Sequence, residues 1–536
     1  MKITWFHYLI TLCLVQLSFI SSHGKKKPNF IVIVSESHPV SAFGVYKGYI
    51  SKVDPTPNLD HLALKSFVFT NAYCTNATPG ASGAVLLTGM NSHVNNLFQN
   101  GNVLQDSFNS LPKSLQEIGY ETILLGRWNF SPRPKYFDHW NILTDPTEKY
   151  NPEFRSLDNQ KQIEGYSTDI ITDLAIQWLM ERKLNKPFFL LIQYNATTKP
   201  WFPAIRHLSL YDDLLLPEPI NLDDKHISKA SPSRYQSMDI MKDLNFSDDL
   251  FFQPEQIDEN KSNKDLFTDS QKNLELMTAE QLSAWTLSWR PKNEAFLRET
   301  QSEDNILQWK FQRYVKNYLR CVRGIDDNIK RIENTLSETN SSDAFLVYTS
   351  NHGRMLGEHG WYGSRWMYEE TMQTPLILST DLSKNNGKVV NALVQNLDLA
   401  PTILDYAKSE SFENMQGRSL RPLMENLDSN SKWRSSVYYH YNEFPGDQMV
   451  AKHYGVRTKN FKLIHFYQFD EWEFYNLSKD PLEMENLYND DDFKVQIRTL
   501  KELLLENRNK YLGKTDTSIM PEEWRKIYRG PEARKE

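Results

Sequence analysis

The stretch Asn29-Phe30-Ile31-Val32-Ile33-Val34 follows a proline and then runs apolar without alternation. A short unbroken run of β-branched and aromatic residues is the pattern of a strand buried on both faces, as in a parallel sheet. The runs Glu121 to Leu125, Pro187 to Tyr194, Ala344 to Ser350 and Pro375 to Ser379 share it. Helical patterns lie between them. Leu115 to Ile118 follows Leu111-Pro112, and Thr168 to Lys183 places Ile170, Ile171, Leu174, Ala175, Trp178 and Leu179 at helical spacing. Strands that alternate with helices predict an α/β domain, whose ligands bind beyond the carboxyl ends of the strands.

From Pro217 to about Gln301 the pattern fades into a polar, charge-rich stretch that includes Ser262 to Ser270, which reads as a long surface excursion with some helix. Gln308 to Leu336 recovers helical periodicity through Trp309, Phe311, Tyr314, Val315, Tyr318, Leu319, Val322, Ile325, Ile329 and Ile332. After about residue 430 come short aromatic runs between turn residues: Val437 to Tyr441, Tyr454 to Thr458, Phe461 to Phe466 and Glu473 to Tyr475. They predict an antiparallel sheet closed by a helix from about Phe493 to Arg508.

The 536 residues, 40% hydrophobic and 12% aromatic, suffice for one large domain and a smaller one. We divide them as a leader over 1–24, an α/β domain over 25–430 and a subdomain over 431–536. The leader reads as a cleaved signal peptide: Lys2, an apolar run from Leu9 to Ile20, then Ser22-His23-Gly24. About a dozen apolar residues fall short of the roughly 20 that span a bilayer, and secretion to the extracellular space or the lysosome is expected. A net charge of -7 argues against a nucleic-acid role. Sequons at Asn76, Asn129, Asn195, Asn245, Asn260, Asn340 and Asn476 add weak support for a secretory route. Cys13 belongs to the leader; Cys74 and Cys321 remain, as one bridge or as two separate thiols.

A second stretch bears on chemistry. Phe69-Thr70-Asn71-Ala72-Tyr73-Cys74-Thr75-Asn76-Ala77-Thr78-Pro79-Gly80-Ala81-Ser82-Gly83-Ala84-Val85-Leu86-Leu87-Thr88-Gly89-Met90 resembles, at both ends, the sulfatase family. There an Asn-Ala-Tyr leads into the signature Cys-x-Pro-Ser-Arg-Ala and an apolar turn ending Leu-Thr-Gly. The resemblance extends to Thr56 to Ala63, to Leu111 to Leu115 with Gly119 to Thr122, to Leu356 to Trp361 with Met367 to Glu370 and Thr374 to Leu376, and to Tyr475 to Leu477 with Asp480, Pro481 and Glu483 to Leu487. Trp309 to Asp327 and Tyr438 to Asp470 are nearest to the sulfatases of glycosaminoglycan and mucin glycans. The resemblance implies an alkaline phosphatase-like fold: a large, mostly parallel sheet flanked by helices, with a smaller C-terminal antiparallel sheet plus helix.

The family's chemical positions differ here. In register, Pro79 stands where the family has the cysteine that becomes formylglycine, and Gly83 where it has an arginine, while Ser82 is kept. Neither proline nor glycine can supply that nucleophile. The family's calcium positions hold Glu36-Ser37 and Asn351-His352; with one carboxylate in place of three, calcium should bind weakly or not at all. The lysine and histidine of a Gly-Lys-Trp-His motif become Arg127 and Asn129, a second histidine becomes Thr198, and the last lysine falls at Ser364. Arg127, Lys199 and Arg365 are the candidate anion-binding cations.

Three functions stay open. One is a pseudo-sulfatase without a cofactor that binds sulfated glycans. Another is a hydrolase of sulfate or phosphate esters with Thr78 or Ser82 as nucleophile, and zinc held by Glu36, His38 and His352. The third is a structural protein of the extracellular matrix.

Overall fold

The computed structural model describes residues 27–511 apart from 99, 104–108, 132, 184–185, 253–267, 299–302, 385–386, 426–432 and 445, together with 520–522 and 525. The expected leader and the Asn260 sequon lie outside the described residues. The run that opened the analysis is the strand Phe30–Ser35, at the centre of a ten-stranded sheet. It pairs in parallel with Phe188–Gln193 on one side and Phe345–Ser350 on the other. Glu121–Gly126 extends the parallel centre, while both wings turn antiparallel, Leu376–Ser379 against Phe345–Ser350 and Glu153–Ser156 against His139–Leu143.

The register explains the unbroken apolar runs. Phe30, Val32 and Val34 point to one face with Phe189, Leu191, Phe345 and Val347, where the helix Leu399–Ala407 packs through Ile403 and Leu404. Ile31 and Ile33 point to the other with Leu190, Ile192, Leu346 and Tyr348, against Ile171 of Ser167–Glu181 and Ile325 and Ile329 of Glu303–Glu338. Because both faces are covered, neither set of alternate residues can be polar.

The described part of the excursion holds the helix expected somewhere within it. It contains the twenty-residue helix Ala279–Arg298, whose Trp285, Trp289, Asn293 and Phe296 form one buried face. That face is narrow and interrupted by an asparagine, which is why isolated hydrophobics were all the sequence offered. The C-terminal sheet has the order Ser436–Tyr441, His453–Thr458, Phe461–Phe466, Glu471–Asn476, all antiparallel. The helix Lys494–Lys510 covers it with Ile497, Leu500 and Leu504. No described helix is long and apolar enough to cross a membrane.

Candidate functional site

The parallel strands end on one edge, and the residues that follow them meet there. The backbone N–H of Glu36 donates to Ala196 O (2.8 Å), that of Arg127 to Gln193 O (2.7 Å) and that of Asn351 to Ser35 O (3.1 Å). Gly126, at φ +102°, lets the chain pass: a Cβ there would stand 2.1 Å from Gln193 O. Glu36, Arg127, Asn351 and His352, spread over more than 300 residues, thus belong to one pocket.

Its centre is an ion pair. Arg127 Nη1 lies 2.6 Å from Glu36 Oε2, and Arg127 Nε donates to Asn129 Oδ1 (2.5 Å). Burial pushes the Glu36 carboxyl up and the Arg127 guanidinium down, and each opposes the other's shift. Lys149, Arg365 and Arg354 also act on Glu36. All four cations are buried, with exposures of 2% to 8%. Lys149 and Arg354 were not among the sequence candidates. Lys149 Nζ donates to Thr198 Oγ1 (2.8 Å) and to the carbonyls of Asn195 and Pro146, and burial, then the nearby Arg127, lowers it to about 8. Only the tertiary contact with Thr198 reveals it.

Arg365 Nη1 donates to Ala77 O (3.0 Å) and Ser364 Oγ (3.2 Å), and Nη2 lies 3.4 Å from Asp447. Its backbone is held at φ +85°, a conformation uncommon for any residue with a Cβ. Ser364 N–H is held by Gln448 Oε1 (2.7 Å). Lys199 is corrected as an anion site: its ammonium is paired with the buried Asp249 at 2.6 Å.

The second stretch forms the helix Pro79–Thr88, buried on every side. Pro79 occupies the first turn, where its missing N–H costs nothing. Ser82 is corrected as a nucleophile: its hydroxyl donates to Asn351 O and accepts from Asn396 Nδ2 (2.9 Å). Thr78 Oγ1, one residue before Pro79, is buried and hydrogen-bonds to no protein group among the described residues. The same holds for Asn129 Nδ2, both amide atoms of Asn351, His352 Nε2 and Arg365 Nε. His352 Nδ1–H donates to Gly353 O (2.7 Å) and burial holds the ring neutral, so Nε2 presents a lone pair. Around one carboxylate the pocket therefore offers several cations and uncommitted polar atoms, a setting for an anion with hydroxyls.

Calcium, which the family implies, does not fit these residues. The sole carboxylate at its positions is in contact with Arg127, and His352 offers nitrogen where calcium takes six to eight oxygens. The zinc set fails also: His38 Nδ1 bonds Tyr348 OH (2.8 Å) and Nε2 Ala42 O (3.2 Å), and Glu36, His38 and His352 do not gather their ligand atoms. Cys74 and Cys321 are free and separately buried, which settles against a bridge. Burial pushes the Cys321 thiol up to about 12 and that of Cys74 higher still, so Cys74 is no thiolate nucleophile. Four sequons are hidden: Asn76, Asn129, Asn195 and Asn476 are at most 7% exposed. The amides of Asn76 and Asn195 donate to the backbone at His440 O (2.8 Å) and Pro146 O (3.0 Å). A glycan on either would displace those bonds, whereas Asn245 and Asn340 are exposed.

A sulfatase family model matches residues 28–409, and one for the C-terminal part of N-sulphoglucosamine sulphohydrolase matches 357–510. The chain belongs to the sulfatase family. It is 36% identical to an N-acetylglucosamine-6-O-sulfatase of Bacteroides thetaiotaomicron over 91% of this sulfatase-family chain and 87% of that one. It is 25% identical to an arylsulfatase of Clostridium perfringens, over 90% and 94% of the two chains. A solved structure of a protein with its substrate D-glucosamine-2-N,6-O-disulfate superposes with a TM-score of 0.85 at 35% identity, covering 92% of this chain and 99% of that one. The large sheet with its small antiparallel companion is thus the sulfatase fold that the resemblance implied.

Proposed function

We propose that this sulfatase-family protein holds a sulfated amino sugar in the pocket without cleaving it. The observation that carries the reading is the set of buried cations, Arg127, Lys149, Arg354 and Arg365, that act together on the carboxylate Glu36. Cations that converge on one pocket draw anionic ligands whether or not the pocket transforms them. Support for the sugar comes from the relative that is an N-acetylglucosamine-6-O-sulfatase and from the neighbour solved with a disulfated glucosamine. Support for the missing step is that Pro79 has no reactive side chain at the nucleophile position and that the family's calcium positions hold one carboxylate, already in contact with Arg127. In this reading the protein acts after secretion, outside the cell or in the lysosome.

The test is titration of heparin, chondroitin sulfate and glucosamine-6-sulfate at low and physiological salt, with release of free sulfate followed in parallel. Binding should be weak, salt-sensitive and without turnover, and Arg127→Ala should weaken it by about 1.5–3 kcal/mol, the worth of hydrogen bonds to a charged group. Absence of binding at both salts favours a structural role in an extracellular matrix. A second reading, an active sulfate or phosphate ester hydrolase, is favoured by the uncommitted hydroxyl of Thr78 at the start of the helix. Sulfate or phosphate release that Thr78→Val abolishes would establish it and remove the first.

A further inference from the structure

Away from the pocket, three side chains from two distant segments converge. Asp224 and His226 lie in the loop that opens the excursion, and His359 in the tight turn Glu358–Gly360. Asp224 Oδ2 is 2.7 Å from His359 Nδ1 and 3.3 Å from His226 Nδ1, and a ligand atom of each residue lies within 4.8 Å of the others. Zinc with ligands at roughly 2.0–2.2 Å in tetrahedral array separates them by roughly 3.3–3.5 Å, so these edges need only small adjustment.

Three further observations bear on the cluster. His226 Nδ1 is buried and makes no hydrogen bond among the described residues, and the His359 side chain is wholly buried with Nδ1 turned to Asp224. Packing fixes the rings: that of His226 lies 4.7 Å from Trp361, that of His359 5.3 Å from both Trp361 and Tyr368. Both histidines sit at φ +57°, a left-handed backbone that the surroundings must impose. Asp224 and His226 also line a cavity of about 530 Å³, which gives an ion an entry path and a fourth ligand from water.

We infer that Asp224, His226 and His359 form a transition-metal site, with zinc the best match to two imidazoles and one carboxylate. Binding would replace the proton now shared between His359 Nδ1 and Asp224, releasing it to solvent. The buried Lys229, 3.9 Å from Asp224 Oδ2, is the group a cation must coexist with. Lys229 is engaged elsewhere, donating to Glu483 O (2.7 Å) and lying 4.6 Å from the Tyr368 ring. The same loop reaches the C-terminal sheet through Ser228 Oγ to Met484 O and Ala230 N–H to Glu473. The ion is therefore a staple: it fixes the excursion to the turn at His359 and so to both sheets.

Untagged full-length protein, dialysed after zinc loading, provides the test through metal content and the visible spectrum of the cobalt-substituted form. Wild type and Glu36→Gln should each retain about one zinc per chain, with cobalt bands of a tetrahedral site. His226→Ala and Asp224→Asn should fall to background and lose the rise in Tm that zinc gives wild type. His226→Ala changes the most accessible of the three ligands, and circular dichroism checks that each variant is folded. A wild type that holds no zinc, variants that keep as much as wild type, or loss in Glu36→Gln alone would each overturn the inference.

Discussion

Arg365, buried in the pocket, and Glu369, partly buried at the junction with the C-terminal sheet, are near neighbours in sequence, yet their charge surroundings are balanced differently. At the junction Lys462 Nζ lies 2.8 Å from Glu369 and 2.7 Å from Glu483, and Arg457 3.1 Å from Glu369. Burial works against the Glu369 charge, but Lys462 and Arg457 more than offset it and hold the carboxyl below its usual range. In the pocket the cations outnumber their partners, and the hydrogen-bonding capacity of Asn129, Asn351 and His352 is left over. Charges that serve the fold find their counter-charge inside it; those that do not are what a ligand can use.

Breaking the junction should have the largest effect. Lys462→Met leaves Glu369 and Glu483 without their shared cation and should cost about 3–5 kcal/mol, read as a shift of the denaturation midpoint. An unchanged midpoint would mean that the two clusters do not differ in kind. The corresponding change in the pocket should act on binding instead. Glu36→Gln removes the carboxylate in contact with Arg127, so affinity for a sulfated sugar should rise about tenfold, or ~1.4 kcal/mol. Equal or weaker binding by calorimetry would show that Glu36 orients Arg127 rather than competing for it. Calcium added to chelator-treated, dialysed protein should leave Tm unchanged; a clear rise would restore the family's ion to the pocket.

The strands were legible because a sheet covered on both faces leaves no room for polar alternation, and Phe30 to Val34 shows none. The C-terminal sheet was legible for the opposite reason, aromatic runs separated by turns. The place of the excursion helix was not, since Trp285, Trp289 and Phe296 are the whole of its apolar signal. In the pocket, Glu36, Arg127 and His352 were found through the resemblance, whose metal and anion motifs they occupy, and the fold places them after strands. Lys149 was not, because it reaches Thr198 from a segment outside those motifs. Lys199 looked free because Asp249, its partner, stands some fifty residues further along. Asp224, His226 and His359 carry no metal-site spacing in sequence, since the loop and the turn meet only in the folded chain.

The smallest expected effect concerns Lys149 and the sign of its pH dependence. Burial lowers its amine to about 8, against an unfolded value near 10.5. Between these two values the folded chain has released the proton and the unfolded chain still holds it. Without ligand, Lys149 therefore adds stability as pH rises through that window. Binding runs the other way: the charge that draws an anion is present below about pH 8 and lost above it. Lys149 is already committed to Thr198 and two carbonyls, so it acts on the ligand through its field. We expect affinity for a sulfated sugar to fall roughly threefold, or ~0.6 kcal/mol, between about pH 7 and about pH 9. Lys149→Met should bind more weakly at the lower pH and lose this dependence, which separates it from Lys292, also lowered to about 8 but paired with Asp212 at 2.9 Å. If the variant titrates like wild type, the excess charge of the pocket is carried by its arginines alone.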